Sequence, residues 1–107
     1  LDDATVATLR DMMGASFGAL VAEFRTSSAA LLDQLETAAE GGDTGTLYTA
    51  AHTLKSSSGN LGGTALYQAS LELERQARDG TVDDPATWLA TLRERRDQLL
   101  TELEKLT

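Results

Sequence analysis

Residues 44–63 read TGTLYTAAHTLKSSSGNLGG, and this stretch decides the fold. On a helix that turns about 100° per residue, its apolar and small residues gather on one side: Leu47, Ala50, Ala51, Leu54, Ser58 and Leu61. Such a stripe predicts an amphipathic helix packed against other helices. His52 falls almost opposite the centre of the stripe. Four side chains share its face: Tyr48, Lys55, Ser56 and Gly59.

Further helical patterns lie on both sides of this stretch. Start and stop signals predict helices over about 3–13, 15–40, 64–79 and from 85 onward, with this one beginning near Asp43 or Thr44. Asp2 or Asp3 and Asp84 are the other predicted N-caps, and a break at Ser27 and Ser28 is an alternative for the second helix. The short, glycine-containing connections predict an all-α fold, an antiparallel up-down four-helix bundle with an additional short N-terminal helix.

The apolar positions of these helices predict the core. The stripe of the second helix is Phe17, Leu20, Val21, Phe24, Leu31, Leu32, Leu35, Ala38 and Ala39. The later helices contribute Leu66, Ala69, Leu73, Ala77, Trp88, Leu89, Leu92, Leu99, Leu103 and Leu106.

Length and composition bound the class of protein. The 107 residues suit one domain spanning 1–107, and no apolar run reaches the roughly 20 residues of a membrane span. A net charge of −8 argues against nucleic acid and against contact with an anionic membrane. Without cysteine and with one histidine, a metal site is not predicted. No signal peptide is visible, and we expect a cytoplasmic location.

The position of His52 leaves two interpretations open, an ordinary surface histidine or a functional one, and makes a buried core histidine the weaker alternative. The small residues from Ser56 to Gly59 indicate a loose helix, close helix packing, or clearance around the imidazole. Lys55 is either a solvated lysine or a cation placed beside an anionic group on His52. Near neutral pH much of histidine is the nucleophilic free base, which suits a phosphoryl carrier. No glycine-rich phosphate loop or acidic magnesium cluster is evident, so the donor would be a partner protein.

The segment HTLKSSSGNLGG, residues 52–63, resembles the signature of histidine-containing phosphotransfer (HPt) domains of multistep two-component phosphorelays. That pattern is a histidine, an aliphatic residue two positions later, a lysine or arginine at three, then small residues and an aliphatic–glycine–small ending. Ala50 and Ala51 fit it as well. So do Leu73-Glu74, the basic Arg75 and Arg78, and the turn at Gly80.

The resemblance implies that His52 is phosphorylated and that Lys55 stabilises the phosphoryl group. Ser56 stands where many members have glycine, and Glu74 stands near an amide of some members. We interpret Glu74 as an ordinary helix-surface glutamate without a binding role, since it would repel a phosphoryl group. The implied partners are response-regulator receiver domains, which bring the Mg²⁺, so the chain needs no cofactor of its own. Covalent linkage to a hybrid sensor histidine kinase, itself an inner-membrane protein, is also compatible with the resemblance.

Two rival functions stay open at this point. A helical bundle serves equally as a non-catalytic protein–protein interaction module, with the small residues around His52 as its docking groove. A free-standing enzyme is the weaker rival, because serine hydrolysis would have only His52 as its base.

Overall fold

The computed structural model describes residues 1–107 and contains helices without strands. The helices are α1 (Asp3–Met13), α2 (Phe17–Gly41), α3 (Thr44–Asn60), α4 (Thr64–Arg78) and α5 (Pro85–Glu104). Four of them, α2 to α5, pack as the bundle, in which each of α3, α4 and α5 contacts the helix before it and α5 also contacts α2. The predicted all-α class and its four-helix core are therefore present. No helix has the length and apolar character needed to cross a membrane.

The predicted additional N-terminal helix is not a separate element, and this part of the prediction is corrected. Residues Asp3–Met13 are helical, but a 3₁₀ turn over Gly14–Ser16 joins them directly to α2. Gly14 has a φ of 52°, which glycine adopts without strain, so the chain changes direction here without needing a loop. The Asp2 N–H donates to the Gly62 carbonyl at 2.7 Å, which fastens this end to the turn between α3 and α4.

Two ion pairs between α2 and α5 show how these helices run. Arg25, early in α2, pairs with Glu104 at the end of α5, and Arg93, early in α5, pairs with Glu36 near the end of α2 at 2.9 Å. The two helices are therefore antiparallel. Short turns at Gly42–Asp43 and Leu61–Gly63 return the chain between α2, α3 and α4, as expected for an up-down bundle.

The core consists mainly of the residues that the periodicity predicted. All the predicted stripe residues are buried or half-buried, and the buried Val6 and Leu100 join them. The alternative of a break at Ser27 and Ser28 is not realised, because α2 is continuous there. The buried Ser28 hydroxyl donates back to the Arg25 carbonyl at 3.4 Å and accepts from Arg96 Nε at 2.9 Å. Its polar group is thus satisfied inside the bundle.

Candidate functional site

The centre of α3 presents His52 to solvent. The helix is capped by Asp43, whose carboxylate accepts from the Thr46 N–H at 3.0 Å and the Thr46 hydroxyl at 2.6 Å. Leu47, Ala51 and Leu54 point into the core, so the opposite face of α3 points outward. The His52 side chain is 54% exposed, which excludes the interpretation of a buried core histidine.

Glu74 lies at this site, and its interpretation as a helix-surface glutamate is wrong. Its side chain is 1% exposed, between α3 and α4, where Oε1 contacts His52 Nδ1 and Oε2 accepts from Lys55 Nζ at 2.8 Å. The sequence held a signal for this placement, since Glu74 follows Leu66 and Ser70 at the spacing of the buried α4 stripe. A buried carboxylate is stable only with partners, and here it has two cationic or proton-donating ones.

The contact with Glu74 determines which imidazole nitrogen is free. Burial by itself raises the pKa of Glu74, but the hydrogen bonds from Lys55 and His52 outweigh it, and the pKa is lowered from its ordinary 4.5. Near neutral pH the carboxylate is therefore ionised and can only accept hydrogen bonds. We assign the proton on this side to Nδ1 of His52, so in the neutral imidazole the lone pair is on Nε2.

Lys55 is held in place in the same contact. Its side chain is only 18% exposed, so most of its aliphatic part is covered while Nζ reaches Glu74. The ammonium and the imidazole therefore sit on the same carboxylate, one turn of α3 apart. The interpretation of a solvated surface lysine does not describe this arrangement.

Tyr48 and Arg78 form a layered stack with His52. The rings of Tyr48 and His52 have centroids 6.1 Å apart and planes 15° from parallel. The Arg78 guanidinium carbon lies 5.6 Å from the centroid of the Tyr48 ring, within cation–π range. Helical phase in the sequence predicted Tyr48 on the face of His52 but indicated no role for Arg78.

The small residues after His52 play different roles. Ser56 is exposed on the histidine face, whereas the Ser57 and Ser58 hydroxyls donate to the carbonyls of Thr53 at 2.9 Å and Leu54 at 2.7 Å. Gly59 lies against Tyr67 of α4, since a Cβ there would sit 3.0 Å from that ring. The helix is fully formed, so Ser56 leaves space beside the imidazole and Gly59 permits close packing of α3 and α4.

The arrangement suits nucleophilic attack by an imidazole nitrogen. An exposed nitrogen nucleophile is oriented by a buried carboxylate through its second nitrogen, the same logic that orients the histidine of a catalytic triad. The structure holds no group of three or more acidic or histidine side chains arranged to bind a metal ion.

Comparisons with known proteins identify the family of the chain. The chain belongs to the Hpt domain family, since the model of that family, described as "Hpt domain", matches residues 19–106. It is accordingly a histidine-containing phosphotransfer domain, a phosphorelay intermediate that carries phosphoryl groups and is not a kinase. A similar solved structure is histidine-containing phosphotransfer protein B (HptB) from Pseudomonas aeruginosa PAO1. That structure has 27% sequence identity and a TM-score of 0.93, over 98% of this chain and 91% of that one. None of the curated proteins matches the chain.

Proposed function

We propose that His52 is the residue that accepts the phosphoryl group from a receiver-domain aspartate and passes it to another receiver-domain aspartate. One observation carries the assignment: the single histidine of the chain stands exposed, with Nδ1 bound to Glu74, so that Nε2 is the ring nitrogen left for a partner. Residues 1–107 act as one domain in this role, in the cytoplasm beside the receivers. The domain works either as a separate protein or as part of a hybrid sensor kinase.

The transfer needs little from the chain beyond positioning. The Nε2 lone pair attacks the phosphorus in line, the bond from phosphorus to the aspartyl oxygen breaks, and its electron pair leaves with the aspartate carboxylate. The imidazole gains positive character as the new N–P bond forms, and ionised Glu74 at Nδ1 stabilises that charge. The reverse sequence of bond changes loads the second receiver.

The remaining groups act around the phosphoryl group. Lys55 Nζ, held by Glu74 in the free protein, lies one helical turn from His52 and supplies a positive charge for the phosphoryl oxygens. Ser56 keeps the approach to Nε2 open because its side chain is small. The proposed chemistry needs Mg²⁺, which arrives bound to the receiver domain, and no cofactor of the chain's own.

The test is phosphoryl acceptance by His52→Gln. Incubated with a panel of phosphorylated receiver domains, the wild-type chain should acquire phosphate that is labile in acid and stable in alkali, whereas the variant should acquire none. Glutamine cannot form a phosphoramidate of this kind, and the exposed position tolerates it. The far-UV circular dichroism of the variant should match that of the wild type.

The experiment includes a matched control and an outcome that would favour the rival function. Thr53→Ala changes the exposed neighbour of His52 on α3 and should leave labelling in place. Labelling of the His52→Gln chain would remove His52 from its role. A wild-type chain that binds receivers without acquiring phosphate would instead support the interaction module.

A further inference from the structure

Arg78 differs from most of the other cations in its lack of an anionic partner. Of the nine lysines and arginines, all but Arg10 and Arg78 hold a carboxylate or a backbone carbonyl. Arg78 instead lies over the Tyr48 ring, and Tyr48 stacks on His52. An exposed guanidinium without a carboxylate or carbonyl acceptor therefore stands two layers from the proposed nucleophile.

The charge of the molecule makes this placement informative. The chain carries a net charge of −8, so most of its surface repels an anionic partner. The receiver of the proposed function holds Mg²⁺ and a phosphorylated aspartate, and Mg²⁺ sites are built from carboxylates. The rim of that pocket is anionic, and it must come close to His52 because the phosphoryl group has to approach within bonding distance of the imidazole.

We propose that Arg78 is a docking residue for the anionic rim of the receiver's phosphorylation pocket, and that the Tyr48 ring positions it. The proposal rests on the proposed function, since it names a further binding residue beside the same histidine. Arginine suits this task because its planar fork of donors matches carboxylate geometry while its face stays on an aromatic ring. In the free protein the ring holds the guanidinium near His52 without neutralising it, as a carboxylate would.

Tyr48 and Arg78 belong to different helices, and their positions show in which direction the stack extends from His52. Tyr48 lies one turn before His52 on α3, and Arg78 lies one turn after Glu74 on α4. The stack therefore extends the site from His52 toward the end of the bundle that carries the α2–α3 and α4–α5 connections. A receiver seated there would contact both helices.

The experiment compares Arg78→Gln with Arg75→Gln. Arg75 is exposed on the same helix and is paired with Glu72 at 3.9 Å, so the two variants remove the same charge at neighbouring positions. We expect Arg78→Gln to raise the half-saturating concentration of the phosphorylated receiver about three- to tenfold, with little change in the maximal transfer rate. Arg75→Gln should raise it less than about twofold. The salt dependence of the half-saturating concentration should become shallower only in the Arg78 variant.

Two variants of Tyr48 test the positioning role. Tyr48→Phe keeps the ring and should retain docking, whereas Tyr48→Leu should weaken it about as much as Arg78→Gln. Dissociation constants for a beryllofluoride-activated receiver, measured in the His52→Gln background, report docking without transfer. Equal effects of the Arg78 and Arg75 variants, or a fall in maximal rate at unchanged half-saturation, would overturn the proposal. The proposed function would still stand after such a result, provided that His52→Gln abolished labelling and the Arg78 and Tyr48 variants did not.

Discussion

At the scale of single residues, the site depends on a buried carboxylate that serves two donors. Glu74 is almost fully enclosed, yet its pKa is lowered, because His52 and Lys55 supply more stabilisation than desolvation removes. A group whose pKa is lower in the folded state stabilises the fold above its unfolded-state pKa. That contribution is lost as the pH falls from about 4.5 through the lowered native value.

Replacement of this carboxylate should therefore have a pH-dependent cost. We expect Glu74→Gln to lower the free energy of unfolding by about 1–3 kcal/mol at neutral pH, because an amide oxygen cannot serve both donors as an anion does. In acid, where the wild-type carboxyl is itself protonated, the difference between the two proteins should shrink. Urea unfolding at a series of pH values, from about pH 7 downward through the acid range, measures it.

Glu72→Gln is the matched control for this measurement. Glu72 lies on the same helix with its side chain 49% exposed and only a long contact with Arg75, so its removal should change little at any of these pH values. A gap between wild type and Glu74→Gln that stays constant over the whole range would contradict the ionised, doubly bonded state of Glu74.

Sequence alone predicted part of this site. Helical phase places His52, Lys55 and Tyr48 on one face, because side chains three and four positions apart on a helix must be neighbours. It could not identify Glu74 or Arg78 as parts of the site, since their approach to His52 depends on the distance and rotation between α3 and α4. The charge of Glu74 favoured an exposed position, which is wrong, although its phase on α4 pointed inward.

At the scale of elements, the same capping motif starts three helices. Asp2, Asp43 and Asp84 each accept from the backbone N–H and the hydroxyl of a threonine three residues later. The hydrogen bonds with the threonines lower the pKa of Asp2 and of Asp43. This local chemistry is the reason that helix starts could be predicted closely from sequence, whereas the join of α1 to α2 depends on tertiary packing.

The cap of α5 combines two requirements in one residue. Asp84 has a φ of 48°, which aspartate tolerates better than alanine, and its Oδ2 accepts from the Thr87 hydroxyl at 2.6 Å. We expect Asp84→Ala to lower the free energy of unfolding by about 1–2 kcal/mol, and Asp84→Gly to lower it less, because glycine keeps the backbone unstrained. Urea denaturation measures both. The exposed neighbour Asp83→Ala should stay near wild type, and an equal loss there would argue against the cap.

At the scale of the whole molecule, the turn between α3 and α4 must fit closely beneath α5. A Cβ on Gly63 would lie 2.5 Å from Leu99 Cδ2 and 3.2 Å from the Ser58 carbonyl. Gly63→Ala should therefore force the buried Leu99 side chain, or the turn itself, to move and lower the free energy of unfolding by about 1–3 kcal/mol. Thermal and urea unfolding at unchanged m-value would measure this loss.

Gly45→Ala is the contrasting substitution. Its Cβ would meet only Asp43 Oδ1, at an ordinary 3.5 Å, near the beginning of α3. Because alanine restricts the unfolded chain and favours the helix, we expect a gain of about 0.4–1 kcal/mol. If Gly63→Ala and Gly45→Ala changed the free energy of unfolding in the same direction, crowding beneath α5 would not explain the loss in Gly63→Ala.

The hydrogen bond from Asp2 to Gly62 has a practical consequence. It anchors the first residues at the α3–α4 turn, about 15 Å along α3 from His52, and Thr107 lies at the same end, beside Gly18. The stack from His52 through Tyr48 to Arg78 runs the other way. A tether, a fluorophore or a solid support attached at either terminus would thus leave the histidine face unobstructed.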